Sequence, residues 1–341
     1  MEKLISFFFN LLFYMIQIDG RNGGGQILRT ALGLAVLTSK PFKMVNIRLA
    51  RPVPGIKVQH LEAVKAVAKL CNAEVDGLEF GSKEITFKPA EIDKSRVKIK
   101  LNTAGSVGLA LQAVLIAVVQ KKVKVVVEGG ATYGKWAVPF DSLWNVVFPM
   151  LEKFGYKVKV KHVKHGFYPK GGARVELVSN VAKFSPISIL DKGKLIEAQG
   201  VSVASEMLRK ASVAERQSNE VKKILPFEIN MRNVYVNSLC PGSGITIWAK
   251  CENSRVGGDF VGERGVKAEK VGREAVKKLM FNYENGAVDY FTADQLMPYM
   301  ALAGKSEIKT SMITEHMLNN GKTIEKFLDV KFSFDNNIIK V

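Results

Sequence analysis

The chain is poor in cysteine, in acidic residues and in long apolar runs. It has three cysteines in 341 residues, Cys71, Cys240 and Cys251. The number is odd and the spacing matches no metal pattern, which excludes a disulfide framework and predicts reduced thiols in a cytoplasmic protein. Acid is scarce relative to base: 32 Asp and Glu face 50 Lys and Arg, for a formal charge of +18. That excess points to a polyanionic partner, nucleic acid above all, because neutralising phosphates releases counterions. A merely basic protein is the plain alternative. The most apolar stretch, MEKLISFFFNLLFYMIQ at the N-terminus, is broken by Asn10, lacks a small-residue cleavage site and is too short to span a bilayer, so no membrane partner is expected. Met15 then opens MIQIDG, with Ile16 and Ile18 alternating as in a strand. Residues 1–14 are therefore expected to be an extension ahead of a fold that starts at Met15.

What is present is a large apolar fraction, 47%, and a weak internal repeat. The first unit, GGGQILRTALGLAVLTSKPFKMVNIR, reads as glycine turn, helix and strand, with a second helix over VQHLEAVKAVAKLCN. The second unit repeats this as AGSVGLALQAVLIAVVQKKVKVVVEGG, followed by FDSLWNVVFPMLEKFG and YKVKVKHV. The third runs ADQLMPYMALAGKSEIKTSMI, NNGKTIEKFLDV, KFSF. Between the second and third, residues 186–282 read as strand (Leu195–Val203), helix (Ala211–Ile224), two strands (Val234–Asn237, Ile245–Cys251) and helix (Lys267–Phe281), with Pro241-Gly242-Ser243-Gly244 marking a hairpin. The expected fold is α/β (α+β). Three repeated αβ units form a large domain, 15–185 with 283–341, and a small βαββα domain, 186–282, is inserted before the third repeat.

The chemistry concentrates in FTADQLMPYMALAGKSEIKTSMITEHMLNN, residues 291–320. Asp294 is expected to cap a helix running to about Ala303, a strand to cover Glu307–Ile313, and His316 to fall in a polar loop. A lone histidine is more often a surface or core residue than a reactive one. His162 is expected on a strand facing solvent and His165 in a structural turn. Gly23–Gly25 and Ala104–Ser106 each approach a helix start, where backbone N–H groups favour anions; a tight strand-to-helix turn explains such glycines equally well.

Six ordered motifs, IDG…GGGQILRTAL (18–32), IRLARPVPG…QHLEAVKA (47–66), AGSVGLALQ (104–112), HGFYPKGG (165–172), ADQLMPYMALAG (293–304) and the His316 loop with Asn319 and Asn320, resemble the RNA 3′-terminal phosphate cyclases over nearly the whole chain from Met15. The resemblance implies repeats akin to those of enolpyruvyl transferases. It also implies a ligase-type reaction in which ATP and a divalent cation, Mg²⁺ or Mn²⁺, drive an RNA 3′-phosphate to a 2′,3′-cyclic phosphate through a histidine–AMP intermediate and an RNA-adenylate. His316 matches the family's nucleophile. Gln112, Phe291, Thr292, Ala293, Asp294 and Gln295 match positions that hold ATP. Arg29, Arg48, Arg51, Gln59 and His60 match polar positions at the RNA phosphate, and arginine suits that task by its bidentate fork.

The chain departs from the family at one point. Many members carry a metal-associated glutamate just before GGGQ, where this chain has Asn22 after a shortened loop containing Arg21. An amide offers one neutral oxygen, so weaker metal binding is expected. The alternative assignment is a cyclase-like RNA-binding protein of ribosome assembly that lacks catalysis; the retained His316 and Gln112 speak against it.

Overall fold

The computed structural model describes residues 15–134 and 137–341; the expected extension over 1–14 lies outside them. Three four-stranded sheets share one wiring. The first contains β1 (Ile16–Asp19), β2 (Phe42–Val45), β3 (Glu74–Asp76) and β4 (Ile85–Lys88). The second contains β5 (Arg96–Ser106), β6 (Val123–Ala131), β7 (Val158–Lys164) and β8 (Arg174–Ser179). The third contains β9 (Ser188–Ile189), β14 (Glu307–Lys309), β15 (Ser333–Asp335) and β16 (Ile338–Lys340). The spatial orders are β1-β2-β4-β3, β5-β6-β8-β7 and β9-β14-β16-β15. In each sheet the first two strands are parallel and the rest antiparallel. A parallel pair needs a crossover. Helices α1 (Gly25–Thr38) and α3 (Val107–Ala117) supply it in the first two units. Helix α2 (Val58–Cys71) and α4, the helical stretch 140–153, complete those units.

Alternation decides which face of each sheet is buried. In the first sheet Ile18, Phe42, Met44, Ile85 and Phe87 are all within 3% of full burial, while Gln17, Lys43, Thr86 and Glu74 point outward by register. The inward faces and the helices merge into one apolar core that runs through all three units. α3 is apolar on every side because it lies at the centre of that core.

The segment between β9 and β14 contains β10 (Leu195–Ser205), α5 (Val213–Ile224), β11 (Asn230–Val236), β12 (Ser243–Cys251), β13 (Arg255–Val261) and α6 (Ala268–Asn285), then α7 (Tyr290–Ala303). Its sheet is ordered β11-β10-β12-β13, with a separate apolar cluster under α5 and α6.

Three details differ from the sequence expectation. β9 pairs with β14, so the extra segment interrupts the third unit after its first strand instead of preceding the unit. β13 was not expected, because Gly257 and Gly258 weaken its strand pattern. A Cβ on Gly258 would sit 2.5 Å from both Ala275 O and Leu279 N of α6, so the glycine is there to let the helix approach. Finally, Pro241–Gly244 is no hairpin: β11 and β12 are separated by β10, and the turn carries the chain past that strand.

Candidate active site

Helices from all three units converge on a buried polar group. α7 begins earlier than expected, at Tyr290, because the Asp289 carboxylate accepts from Thr292 N at 2.8 Å and Thr292 Oγ1 at 2.8 Å. Asp294 is thus not a cap; it lies one turn inside the helix and is 6% exposed. Pro298 sits four residues further on and lacks the N–H that would bond to the Asp294 carbonyl. Asn320, from α8 (Glu315–Phe327), fills that vacancy. Its Nδ2 donates to Asp294 O at 3.1 Å and to Oδ1 at 3.2 Å, and its Oδ1 accepts from Thr30 Oγ1 of α1 at 2.8 Å. Gln26 Nε2, also from α1, donates to the other carboxylate oxygen. Gln26, Thr30 and Asn320 were absent from the sequence-derived site. The proline inside a helical pattern was the signal that a side chain had to satisfy the carbonyl four residues back.

This arrangement predicts a coupling. Asn320→Ala should lower stability by about 1–3 kcal/mol, the cost of leaving buried partners unmatched. In a Pro298→Ala background, where the helix regains its own N–H, the loss should be smaller. Urea denaturation of the four proteins measures this; equal losses in both backgrounds would refute it.

Beside this network, Arg29 Nε donates to Gln112 Oε1 of α3 at 2.7 Å. Arg29 is 6% exposed, and burial pulls its pKa down to about 10 against the opposing charge of Asp294. Burial raises Asp294 to about 6, opposed by the Gln26 and Asn320 hydrogen bonds and by Arg29. His60, third residue of α2, accepts from Lys57 N through Nδ1 at 3.1 Å, which leaves the proton on Nε2. Burial, then the charges of Arg29, Arg48 and Lys57, push its pKa to about 3, so this ring is neutral at working pH. A Cβ on Gly25 would lie 2.0 Å from His60 Nε2 and 2.8 Å from Arg29 Nη1. Glycine at the start of α1 is therefore what lets these two side chains close over the helix N-terminus.

His316 is the second residue of α8, not a loop residue. Thr314 caps that helix, its side chain accepting from Met317 N at 3.3 Å. The imidazole is open to solvent. Surrounding protein atoms, then the charges of Arg51 and Arg29, hold its pKa below the usual histidine value, with Glu315 opposing. An imidazole at a helix N-terminus combines a basic ring nitrogen with backbone N–H groups that favour anions.

The remaining expected residues divide by placement. Arg51 is exposed, and its Nη2 lies 3.6 Å from where a Gly24 Cβ would be, which puts it over the glycine turn. Arg48 has a positive φ of 55° and its Nη1 donates to Val53 O at 3.1 Å and Gly55 O at 3.0 Å, so much of its guanidinium braces its own loop. Gln59 reaches toward Gly105, linking the first unit to the start of α3. Phe291 and Gln295 are half-buried on α7, whereas Thr292 and Ala293 are fully buried. His162 is exposed on β7. His165 is buried, 3.1 Å from Thr132 Oγ1 and 3.7 Å from Asp141, a structural setting.

Asn22 is exposed on the loop after β1. The nearest acid in sequence, Asp19, already accepts from Arg21 N at 2.9 Å and Asn46 Nδ2 at 3.2 Å. Among the described residues there is no group of three histidine, cysteine, aspartate or glutamate side chains able to hold a metal ion.

The family model for RNA 3′-terminal phosphate cyclase matches residues 20–334. The chain belongs to the RNA 3′-terminal phosphate cyclase family. Proteins of that name from Pyrococcus furiosus and Pyrococcus abyssi are 40% and 38% identical to it over 327 and 335 residues. These alignments cover 93% and 96% of this chain and 94% and 97% of the relatives. A third, from Saccharolobus solfataricus, is 42% identical over 326 residues, 93% of this chain and 95% of the relative. Members of the cyclase family are ligase-type enzymes of RNA processing that use ATP, and family membership makes this chain one of them. No helix among the described residues is long and apolar enough to cross a membrane.

Proposed function

We propose that the chain converts an RNA 3′-terminal phosphate to a 2′,3′-cyclic phosphate, with His316 as the nucleophile toward ATP. A neutral ring nitrogen attacks the α-phosphorus; the N–P bond forms as the bond to pyrophosphate breaks, and pyrophosphate leaves. An oxygen of the RNA 3′-phosphate then attacks the same phosphorus, breaking the N–P bond and freeing His316. The neighbouring 2′-hydroxyl gives up its proton and attacks the terminal phosphate, closing the ring and expelling AMP. The observation that carries this reading is the imidazole of His316 at a capped helix N-terminus, exposed to solvent, its pKa lowered first by the surrounding protein atoms and then by the charge of Arg51. Phe291 and Gln295 are suited to the adenosine, by stacking and by hydrogen bonding. Arg51 and the glycine turn are suited to phosphate, while Gln112 positions Arg29. Asn22 stays a candidate ligand for the cation that accompanies ATP. The compartment we propose is the cytoplasm. We also propose that residues 15–185 with 283–341 act as the catalytic body and 186–282 as a smaller attached domain, β9 excepted.

The test is incubation of an RNA ending in a 3′-phosphate with ATP and Mg²⁺ or Mn²⁺. A product end resistant to phosphatase supports the reading. An end that stays phosphatase-sensitive, with no AMP retained on the protein, would favour the non-catalytic RNA-binding alternative.

Arg48 and Arg51 separate in this account. Arg51→Ala should slow AMP transfer to RNA about 10- to 100-fold, as expected for loss of one charged hydrogen bond of roughly 1.5–3 kcal/mol. It should also shift the pH profile of self-adenylylation upward, because the His316 pKa rises when a neighbouring cation is removed. Arg48→Ala should mainly lower stability. Identical effects of the two substitutions on rate, pH profile and denaturation midpoint would contradict the division.

A further inference from the structure

The three sheets are wired alike, so their outward faces are equivalent surfaces and can be compared directly. On the first, Lys43 and Lys88 face Asp19, Glu74 and Asp76. On the third, Lys309 and Lys340 face Glu307 and Asp335. The second is different. Its register sets three rows across four strands, Arg96–Lys124–Val178–Lys159, Lys98–Val126–Glu176–His162 and Lys100–Glu128–Arg174–Lys164. Seven lysines and arginines therefore stand against two glutamates. The register shift between Val160 and His162 also leaves Lys161 exposed at the sheet edge.

The two glutamates are already used. Glu128 pairs with Lys98 at 2.6 Å and Arg174 at 2.5 Å, and Glu176 with Arg174 at 2.5 Å and Lys124 at 2.8 Å. Arg96, Lys100, Lys159, Lys161 and Lys164 are exposed on the outer strands and take part in none of these pairs. Edge strands often carry lysine to block edge-to-edge association. Here that explanation is insufficient, since the edge strands of the first sheet, β1 and β3, carry acids at the equivalent places. Either sign guards an edge; only one sign attracts a polyanion.

The face also leads to the site. β5 runs from Arg96 through Lys98 and Lys100 to Ala104–Ser106, the turn that opens α3 and abuts Gln59. The four strands span roughly 14 Å, three inter-strand spacings, enough for a few nucleotides of a single strand.

We propose that the outward face of the second sheet binds the phosphate backbone of the substrate RNA upstream of its 3′ end. This rests on the cyclase reading and extends it: the site holds the terminal phosphate, and the sheet holds the strand behind it. Binding is to backbone charge, so it carries affinity without sequence preference.

The test uses two variants of the full chain, Lys159→Gln/Lys161→Gln/Lys164→Gln and Arg96→Gln/Lys100→Gln, with Lys43→Gln/Lys88→Gln on the first sheet as control. Binding to 3′-phosphorylated RNAs of about three and about fifteen nucleotides is measured without ATP across salt concentrations. The second-sheet variants should weaken the long RNA about tenfold or more at low salt. Their salt slope should fall by about 0.7 for each RNA phosphate that is no longer neutralised, and the short RNA and the control should be little changed. Self-adenylylation with labelled ATP alone should stay at the parent level, which separates failure of this proposal from failure of the cyclase reading. Unchanged long-RNA binding, equal weakening of both RNAs, or aggregation with binding intact would overturn it. If one variant fails to fold, the other, on a different strand, decides.

Discussion

Replacing His316 with alanine is expected to reduce covalent retention of AMP to background and with it the ATP-driven cyclisation of RNA, while the fold survives. The side chain is exposed and makes none of the buried contacts of the three-helix network, and exposed positions away from such features change stability by roughly 0.5 kcal/mol or less. The effect on rate is different in kind. Without a ring nitrogen there is no acceptor for the α-phosphorus. The other three histidines are not substitutes: His60 and His165 are buried, and His162 lies on β7 beside Glu176, outside the helix cluster. The defect should also be specific to one stage. An RNA already carrying AMP on its 3′-phosphate needs only attack by its own 2′-hydroxyl, so His316→Ala should still cyclise that pre-activated RNA. Loss of this last step as well would mean that His316 acts throughout the reaction or that the substitution has damaged the site.

The second large effect is structural. Arg29→Met keeps the bulk of the side-chain stem but removes the cation opposite Asp294 and the donor to Gln112. Losing the charge near Asp294 and the donor to Gln112 leaves buried polar groups uncompensated, at about 1–3 kcal/mol and more where a charge is involved, a large part of a typical folding free energy. The cost should depend on pH, and its sign follows from Asp294. The folded pKa, about 6, is above the ordinary 3.8, so Asp294's contribution is intact at low pH and is lost as pH rises through 6. Removing Arg29 raises that pKa further. Arg29→Met should therefore be more damaging near pH 8 than near pH 5, where the carboxyl carries its own proton. Denaturation midpoints at both pH values measure this, and an equal or larger loss at pH 5 would show that Asp294 is not the group Arg29 compensates.

Periodicity made most of the architecture legible. The turn–helix–strand repeat in GGGQILRTAL and AGSVGLALQ reports units that each bury one sheet face, and those faces meet in the common core. What escaped was the part fixed by long-range packing. β13 was hidden by Gly257 and Gly258, of which Gly258 is there to let α6 pass close, while Gly257 lies against Val146. β9 is two residues long and is defined by pairing with a strand more than a hundred positions away. Within the site, the resemblance pointed to His316, Gln112 and Asp294. It did not reveal that Asp294 is held by Gln26 and Asn320, nor that Arg48 is braced against its own loop while Arg51 lies over the glycine turn, where its charge reaches His316. Those are geometric facts with no one-dimensional signature beyond Pro298.

The central claim, that His316 carries AMP between ATP and RNA, is tested most directly by mapping the label. The protein is incubated with α-labelled ATP and a divalent cation, denatured at alkaline pH, where a phosphoramidate survives, and digested for peptide identification. The account predicts one labelled site, His316, discharged when an RNA ending in a 3′-phosphate is added before denaturation. Label on a lysine, on His60 or His162, or label on His316 that the RNA leaves in place, would contradict it.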